Sequence, residues 1–343
     1  MLSVLTIIIN KSYGRSMTFR ARIALPVTLL AASAVALAGC ATGTPSDGGA
    51  GDTAIRIVAS TNVYGDIAHT IAGDAAEVTS IIHDSTQDPH EYEATSRDAL
   101  ALADADLVIV NGGGYDDFMQ KLLDAHGGDA VVLDAVELSG LEPEDHDEAE
   151  SEDGDDHADE GEHDHDHDHG EFNEHVWYSF DAMAKLADAI AERLGTLDPG
   201  AAATFTANAK AFAEGLDGLT TTASGIAAAH GGERFAITEP VPLYLLEAAG
   251  LENATPAEFS EAVEEGTDAP ALVLRDVVTL VSNGSVAFLA YNAQTVGPQT
   301  EEVLAAAKDA GTPVVSFTEL LPDGDDYLSW MAANLAAVEK ALG

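Results

Sequence analysis

The sequence predicts an α/β protein of two parallel-sheet lobes joined by one long rigid helix. Two observations carry that reading. Short β-rich runs alternate with helical stretches from residue 55 onward, the pattern of a parallel sheet covered by helices. Near the middle, a helical periodicity opened by Asp198-Pro199 continues to about Ala229. At 1.5 Å per residue it would span about 45 Å, enough to brace two lobes rather than cover one.

The chain is expected to start with an export signal. Arg20 and Arg22 precede an apolar run from Ile23 to Leu37, and Leu37-Ala38-Gly39-Cys40 closes it. That run is too short for a membrane span and lacks an anchor flank. Residues 1–40 are therefore expected to be a signal peptide ending in a lipobox-like quartet, with Cys40 the lipidation site and Met17 an alternative start to Met1. Cys40 is the single cysteine, so no intrachain disulfide can form. Residues 41–53, rich in Gly, Ser, Thr and Asp, read as a flexible tether.

The first lobe is expected over 54–197. Ile55–Ala59 is a β-rich run, Val63–Ile71 a helix ended by Gly73, and Glu77–Ile82 a second strand. Ser96 caps a helix to about Ala103, and Leu107–Val110 is a buried strand stopped by Asn111-Gly112-Gly113-Gly114. A helix over Phe118–Ala125 leads to the strand Val131–Leu133. Met183, Leu186, Ile190 and Leu194 mark a helix that Gly195 should end. The linking helix, 198–230, has Asp198 as cap and Pro199 in its first turn, with Phe205, Ala209, Phe212, Leu216 and Leu219 spaced four, three, four, three. The second lobe, 231–343, holds a strand Phe235–Thr238 and a helix Leu243–Ala249. Thr255-Pro256-Ala257-Glu258 reads as a capping box for a helix stopping at Gly266. Strands Val286–Ala290 and Val314–Phe317 flank a helix ended by Gly311, and Tyr327–Leu342 closes the chain as an amphipathic helix.

One insertion breaks the first lobe. Residues 142–174 are mostly Asp and Glu, and His157, His163, His165, His167 and His169 lie among them, the last four at two-residue spacing. A solvated acidic linker explains the charge but not the spacing. Imidazole suits zinc, copper, nickel and iron, so the stretch is expected to gather divalent metal. The net charge of −46 agrees with cation capture and argues against nucleic acid or anionic lipid as partner.

In such lobes ligands collect past the carboxyl ends of the strands. His90 follows the second strand, His175 follows the acidic tract, Glu239 follows the strand that opens the second lobe, and Glu319 follows the last strand. Singly, each has an ordinary reading as a loop histidine or a capping carboxylate.

Together with their neighbours they carry a family resemblance. Val58-Ala59-Ser60-Thr61-Asn62, Asp88-Pro89-His90-Glu91-Tyr92-Glu93, the stretch Ala105 to Gly112, Glu174-His175-Val176-Trp177, and Asp198-Pro199 with Asn208 resemble the cluster A-I solute-binding lipoproteins of zinc and manganese ABC importers. The resemblance covers nearly all of Ile55 to Leu342. It implies a single metal in the cleft between the lobes, held by four side chains: His90, His175, Glu239 and Glu319. The third position is histidine in many zinc-binding members and glutamate in several manganese-binding ones. The fourth is usually aspartate, so Glu319 lengthens it by one methylene. Asn292 and Gln294, at the end of the preceding strand, are candidates for support behind the ligands on position alone.

The resemblance further implies an extracytoplasmic, lipid-anchored monomer that hands its cargo to a membrane permease. Zn(II) is the expected cargo because the histidine tract does little for manganese. Mn(II) is the alternative, since Glu239 and Glu319 are hard donors. A zinc hydrolase would need an open coordination position and a general base, and no His-Glu-x-x-His helix is present, so no enzyme is expected. A surface adhesin with a structural metal is the remaining alternative.

Overall fold

The computed structural model describes residues 54–84, 87, 89, 92–126, 128–142 and 172–343. Cys40, His90 and the tract histidines His157, His163, His165, His167 and His169 lie outside the described residues.

The first lobe runs β1 (Ile55–Thr61), α1 (Asn62–Ala72), β2 (Ala76–Ile82), α2 (Ser96–Ala103), β3 (Leu107–Val110), α3 (Asp117–His126), β4 (Val131–Asp134), α4 (Ala135–Ser139) and α5 (Phe180–Leu197). Its four strands are parallel in the order β2-β1-β3-β4. After α6 (Ala202–His230) the second lobe runs β5 (Arg234–Ile237), α7 (Leu243–Ala248), β6 (Glu252–Asn253), α8 (Ala257–Glu264), α9 (Ala271–Ser282), β7 (Leu289–Asn292), α10 (Pro298–Ala310), β8 (Val314–Phe317) and α11 (Tyr327–Leu342). Its sheet repeats the order as β6-β5-β7-β8, again parallel. In both sheets the order reverses between the first and third strands, so each lobe has its crevice at those carboxyl ends. β3, Leu107–Val110, is apolar throughout and buried at every position, as a strand covered on both faces should be.

α6 is 29 residues long. Its buried seam, Phe205, Ala209, Phe212, Leu216, Leu219, Ala223 and Ile226, keeps the four-three spacing throughout. That seam joins one apolar core drawing Ile57, Ile67 and Leu186 from the first lobe and Phe235, Leu245 and Met331 from the second. Asn208 adds a polar pin, its Nδ2 donating to the carbonyl of Ile71 at the end of α1, 2.9 Å away.

Several expected boundaries moved, each for a local reason. Thr95, not Ser96, caps α2: its hydroxyl accepts from the Asp98 amide at 3.4 Å, and Asp98 Oδ2 accepts from the Thr95 amide at 2.7 Å. Gly195 does not end α5, which continues to Leu197. A Cβ at 195 would lie 3.2 Å from that of Ala202, so this glycine lets the end of α5 pack closely on the start of α6. Pro199 precedes α6 rather than entering it, because Asp198 Oδ1 accepts from the Gly200 amide at 2.9 Å and holds a turn there. Thr255 forms no capping box. Its hydroxyl accepts from the amide of Ile237 at 2.8 Å and ties the α8 approach to β5. The strand expected at Val286–Ala290 sits at Leu289–Asn292, and α4, β6 and α9 were not anticipated.

Candidate metal centre

Strand ends place two of the expected ligands, and a loop of the first lobe places a third. Glu239 follows β5 across Thr238, and Glu319 follows β8 across Thr318. His175 enters from the first lobe on the segment that leads into a 3-10 turn, Val176–Tyr178. All three are buried, with exposures of 1% for His175, 4% for Glu239 and 1% for Glu319.

Asn292, the last residue of β7, joins the two carboxylates. Its Nδ2 donates to Glu239 Oε2 and, at 2.8 Å, to Glu319 Oε1. Its own backbone amide donates to Thr238 Oγ1 at 2.9 Å, so β5 and β7 are locked at the point where the strand order reverses. Gln294 holds the loop of Glu319: its Oε1 accepts from the amides of Glu319 at 2.5 Å and Leu320 at 3.0 Å. Its Nε2 donates to the carbonyl of Gln87 in the first lobe at 3.2 Å. Asn292 and Gln294 thus support the two carboxylates in distinct ways.

The first lobe contributes more than His175. Tyr115 reaches across, its hydroxyl donating to Glu319 Oε2 at 3.1 Å, and its ring lies edge-on to the His175 imidazole at 5.8 Å. Burial and the Glu319 charge raise the Tyr115 pKa, keeping the phenol a donor. Tyr115 is carried by the glycine turn after β3. Gly112 has φ +79°, and a Cβ there would come within 2.2 Å of the Asp134 carboxylate, so the turn requires glycine. Asp116 fixes this turn, accepting from the amides of Asn111 at 2.6 Å and Gly112 at 3.0 Å. Burial pushes its carboxyl up to about 6, against the effect of those hydrogen bonds. Asn111 in turn donates to the carbonyl of Glu174 at 3.1 Å, binding the turn to the His175 segment.

Glu264 and Glu174 surround His175 with further carboxylate. Donor atoms of Glu174, His175 and Glu264 all lie within 4.8 Å of one another, and Glu264 Oε1 is 3.6 Å from His175 Nδ1. Burial, then the charges of Glu174, Glu239 and Glu319, push the Glu264 carboxyl up to about 10. Glu174 and Glu264 beside the buried His175 imidazole make a donor set suited to a divalent cation and unsuited to an anion.

Sequence reasoning missed Glu264, Glu174, Tyr115 and Asn173, whose side chain lies against His175 and is taken up below. A trace of Glu264 was present. It is the last residue of α8 and is followed by Glu265, and two acids at a helix carboxyl end oppose the helix dipole. Such a local conflict is a mark of a residue kept for another purpose.

With that geometry described, likeness to known proteins becomes specific. The family described as "Zinc-uptake complex component A periplasmic" matches residues 57–341. The chain belongs to this family. It is a substrate-binding component of a metal ABC transporter and not an enzyme. Among relatives, the "Manganese-binding lipoprotein MntA" of Halalkalibacterium halodurans is 29% identical over 275 residues, covering 74% of this chain and 82% of that protein. The "Zinc-binding lipoprotein AdcA" of Streptococcus pneumoniae is 28% identical over 283 residues, 79% of this chain and 52% of that one. The periplasmic zinc-binding protein TroA of Treponema pallidum shares the fold, with a TM-score of 0.64 at 20% identity, over 84% of this chain and 98% of that one.

Proposed function

We propose that the protein captures Zn(II) outside the cytoplasm and delivers it to the membrane permease of an ABC importer, with His90, His175, Glu239 and Glu319 as ligands. What carries this reading is that Asn292 joins the buried Glu239 and Glu319 of the second lobe, while Tyr115 of the first lobe touches both Glu319 and the ring of the buried His175. Two imidazoles and two carboxylates would neutralise the cation and close the site. The tract with His157, His163, His165, His167 and His169 is assigned to gathering metal, and Cys40 to anchoring a monomer at the membrane through lipid.

A second reading, Mn(II), is favoured by Glu264 and Glu174. Two more carboxylates beside His175 offer the larger, more oxygen-rich shell that a hard cation prefers. The histidine tract weighs for zinc. Metal analysis of untagged protein, followed by zinc and manganese competition, separates the two. His175→Ala is expected to abolish stoichiometric binding of either metal by calorimetry, and unchanged affinity would sink the assignment.

A further inference from the structure

A metal-binding imidazole works through one nitrogen, and the group facing the other nitrogen decides which one that is. For His175 that group is Asn173. Its Oδ1 lies 2.7 Å from His175 Nδ1 and 3.1 Å from the His175 backbone nitrogen, while its Nδ2 lies 3.1 Å from the carbonyl oxygen of Pro240.

These contacts orient the Asn173 amide and place a proton on Nδ1 of His175, whose neutral ring then carries no other. The Pro240 carbonyl can only accept, so the atom of Asn173 that faces it is the amide nitrogen. The His175 backbone N–H can only donate, so the atom facing that side is the amide oxygen. An oxygen beside Nδ1 requires the ring proton there, which leaves the lone pair on Nε2, itself buried.

We propose that Asn173 is the positioning residue of the metal site: it holds His175 as the Nδ1–H tautomer with Nε2 as the ligand atom, and the same amide ties that ring to the segment carrying Glu239. Pro240 is the residue after Glu239, so one side chain sets the ligand of the first lobe against a ligand of the second. The backbone strengthens the tie, since the carbonyl of Asn173 accepts from the Tyr244 hydroxyl of α7 at 2.7 Å. Aspartate at this position could still accept from Nδ1–H but could not donate to Pro240. The two tasks are therefore separable by substitution.

The inference rests on His175 being a ligand, and its test begins where no metal is needed. Ring 15N spectra of the metal-free full chain, assigned against His175→Gln, are expected to show the Nδ1–H tautomer in the wild type and in Asn173→Asp. In Asn173→Ala the Nε2–H form should appear. Zinc affinity by chelator competition should fall about 10- to 100-fold in Asn173→Ala, the usual cost of losing the group behind a ligating histidine. It should stay within a few-fold of wild type in Asn173→Asp. An unchanged tautomer in Asn173→Ala overturns the proposal, and so does an equal loss of affinity in the two variants, which would assign the effect to the Pro240 tie alone. A wild type that binds no zinc or manganese would instead overturn the proposed function, while the tautomer spectra would still decide the role of Asn173.

Discussion

At the scale of single residues, the metal centre is a place where burial and charge conflict. Asp116 shows this away from the proposed ligands. Its carboxyl titrates near 6 in the fold, against roughly 4 in an unfolded chain. The folded form therefore holds its proton more tightly, and the stability this contributes is full below about pH 4 and lost as pH rises through about 6. Asp116→Asn removes the titration and also one of the oxygens that accept from Asn111 and Gly112, a cost of about 1–3 kcal/mol. Thermal melts from pH 4.5 to 7.5 should show the gap between wild type and variant largest at the acid end. Parallel curves would refute the assignment. His175, Glu239 and Glu319 stood out in the sequence as candidates because each follows a recognisable boundary: a strand end for the glutamates, the acidic tract for the histidine. Glu264, Asn173 and Tyr115 could not. Their roles depend on what the other lobe brings to them, and no local spacing encodes a partner as distant as Tyr115 is from Glu319.

At the scale of elements, the alternation of strands and helices was legible because apolar runs such as Leu107–Val110 admit few other readings. Caps were less so, since Thr95 and Ser96 are chemically equivalent choices and only the reach of Asp98 decides between them. Thr255 shows the same limit: the pattern of a capping box was present, but its hydroxyl serves β5 instead. α6 offers a test of how far local propensity still matters in a packed helix. Gly218 and Gly225 are exposed, and a Cβ at either would meet nothing within 4 Å. Gly218→Ala and Gly225→Ala should each raise stability by about 0.5–1 kcal/mol, through lower backbone entropy in the unfolded chain. Urea titration should show higher midpoints with unchanged slopes, and a loss of stability would mean that α6 needs those glycines for packing against a partner.

At the scale of the whole molecule, two predictions separate the tract from the fold. Deleting residues 146–169 should remove weaker metal equivalents and spare one tight site, as counted by calorimetric titration. Loss of the tight site would reverse the roles given to the tract and to the cleft. The second concerns cooperativity. The apolar core passes from Ile57 and Leu186 through the α6 seam to Phe235 and Met331 without a break between lobes. Calorimetry of the metal-free protein should give one transition, with equal calorimetric and van't Hoff enthalpies; two resolved transitions would contradict it. The repeated strand order of the two sheets was only partly visible in the sequence, because β6 is two residues long and leaves no apolar run to find.

The continuous seam of α6 also bears on how the molecule withstands proteolysis. A protein of separable lobes exposes one of them whenever the other opens, and proteases cut such half-open forms. With both lobes packed on one helix, opening either strips apolar surface from the other. The lifetime of the molecule in a protease-rich setting is then governed by global unfolding, and a substitution in the seam at Phe212 shortens it from both ends at once.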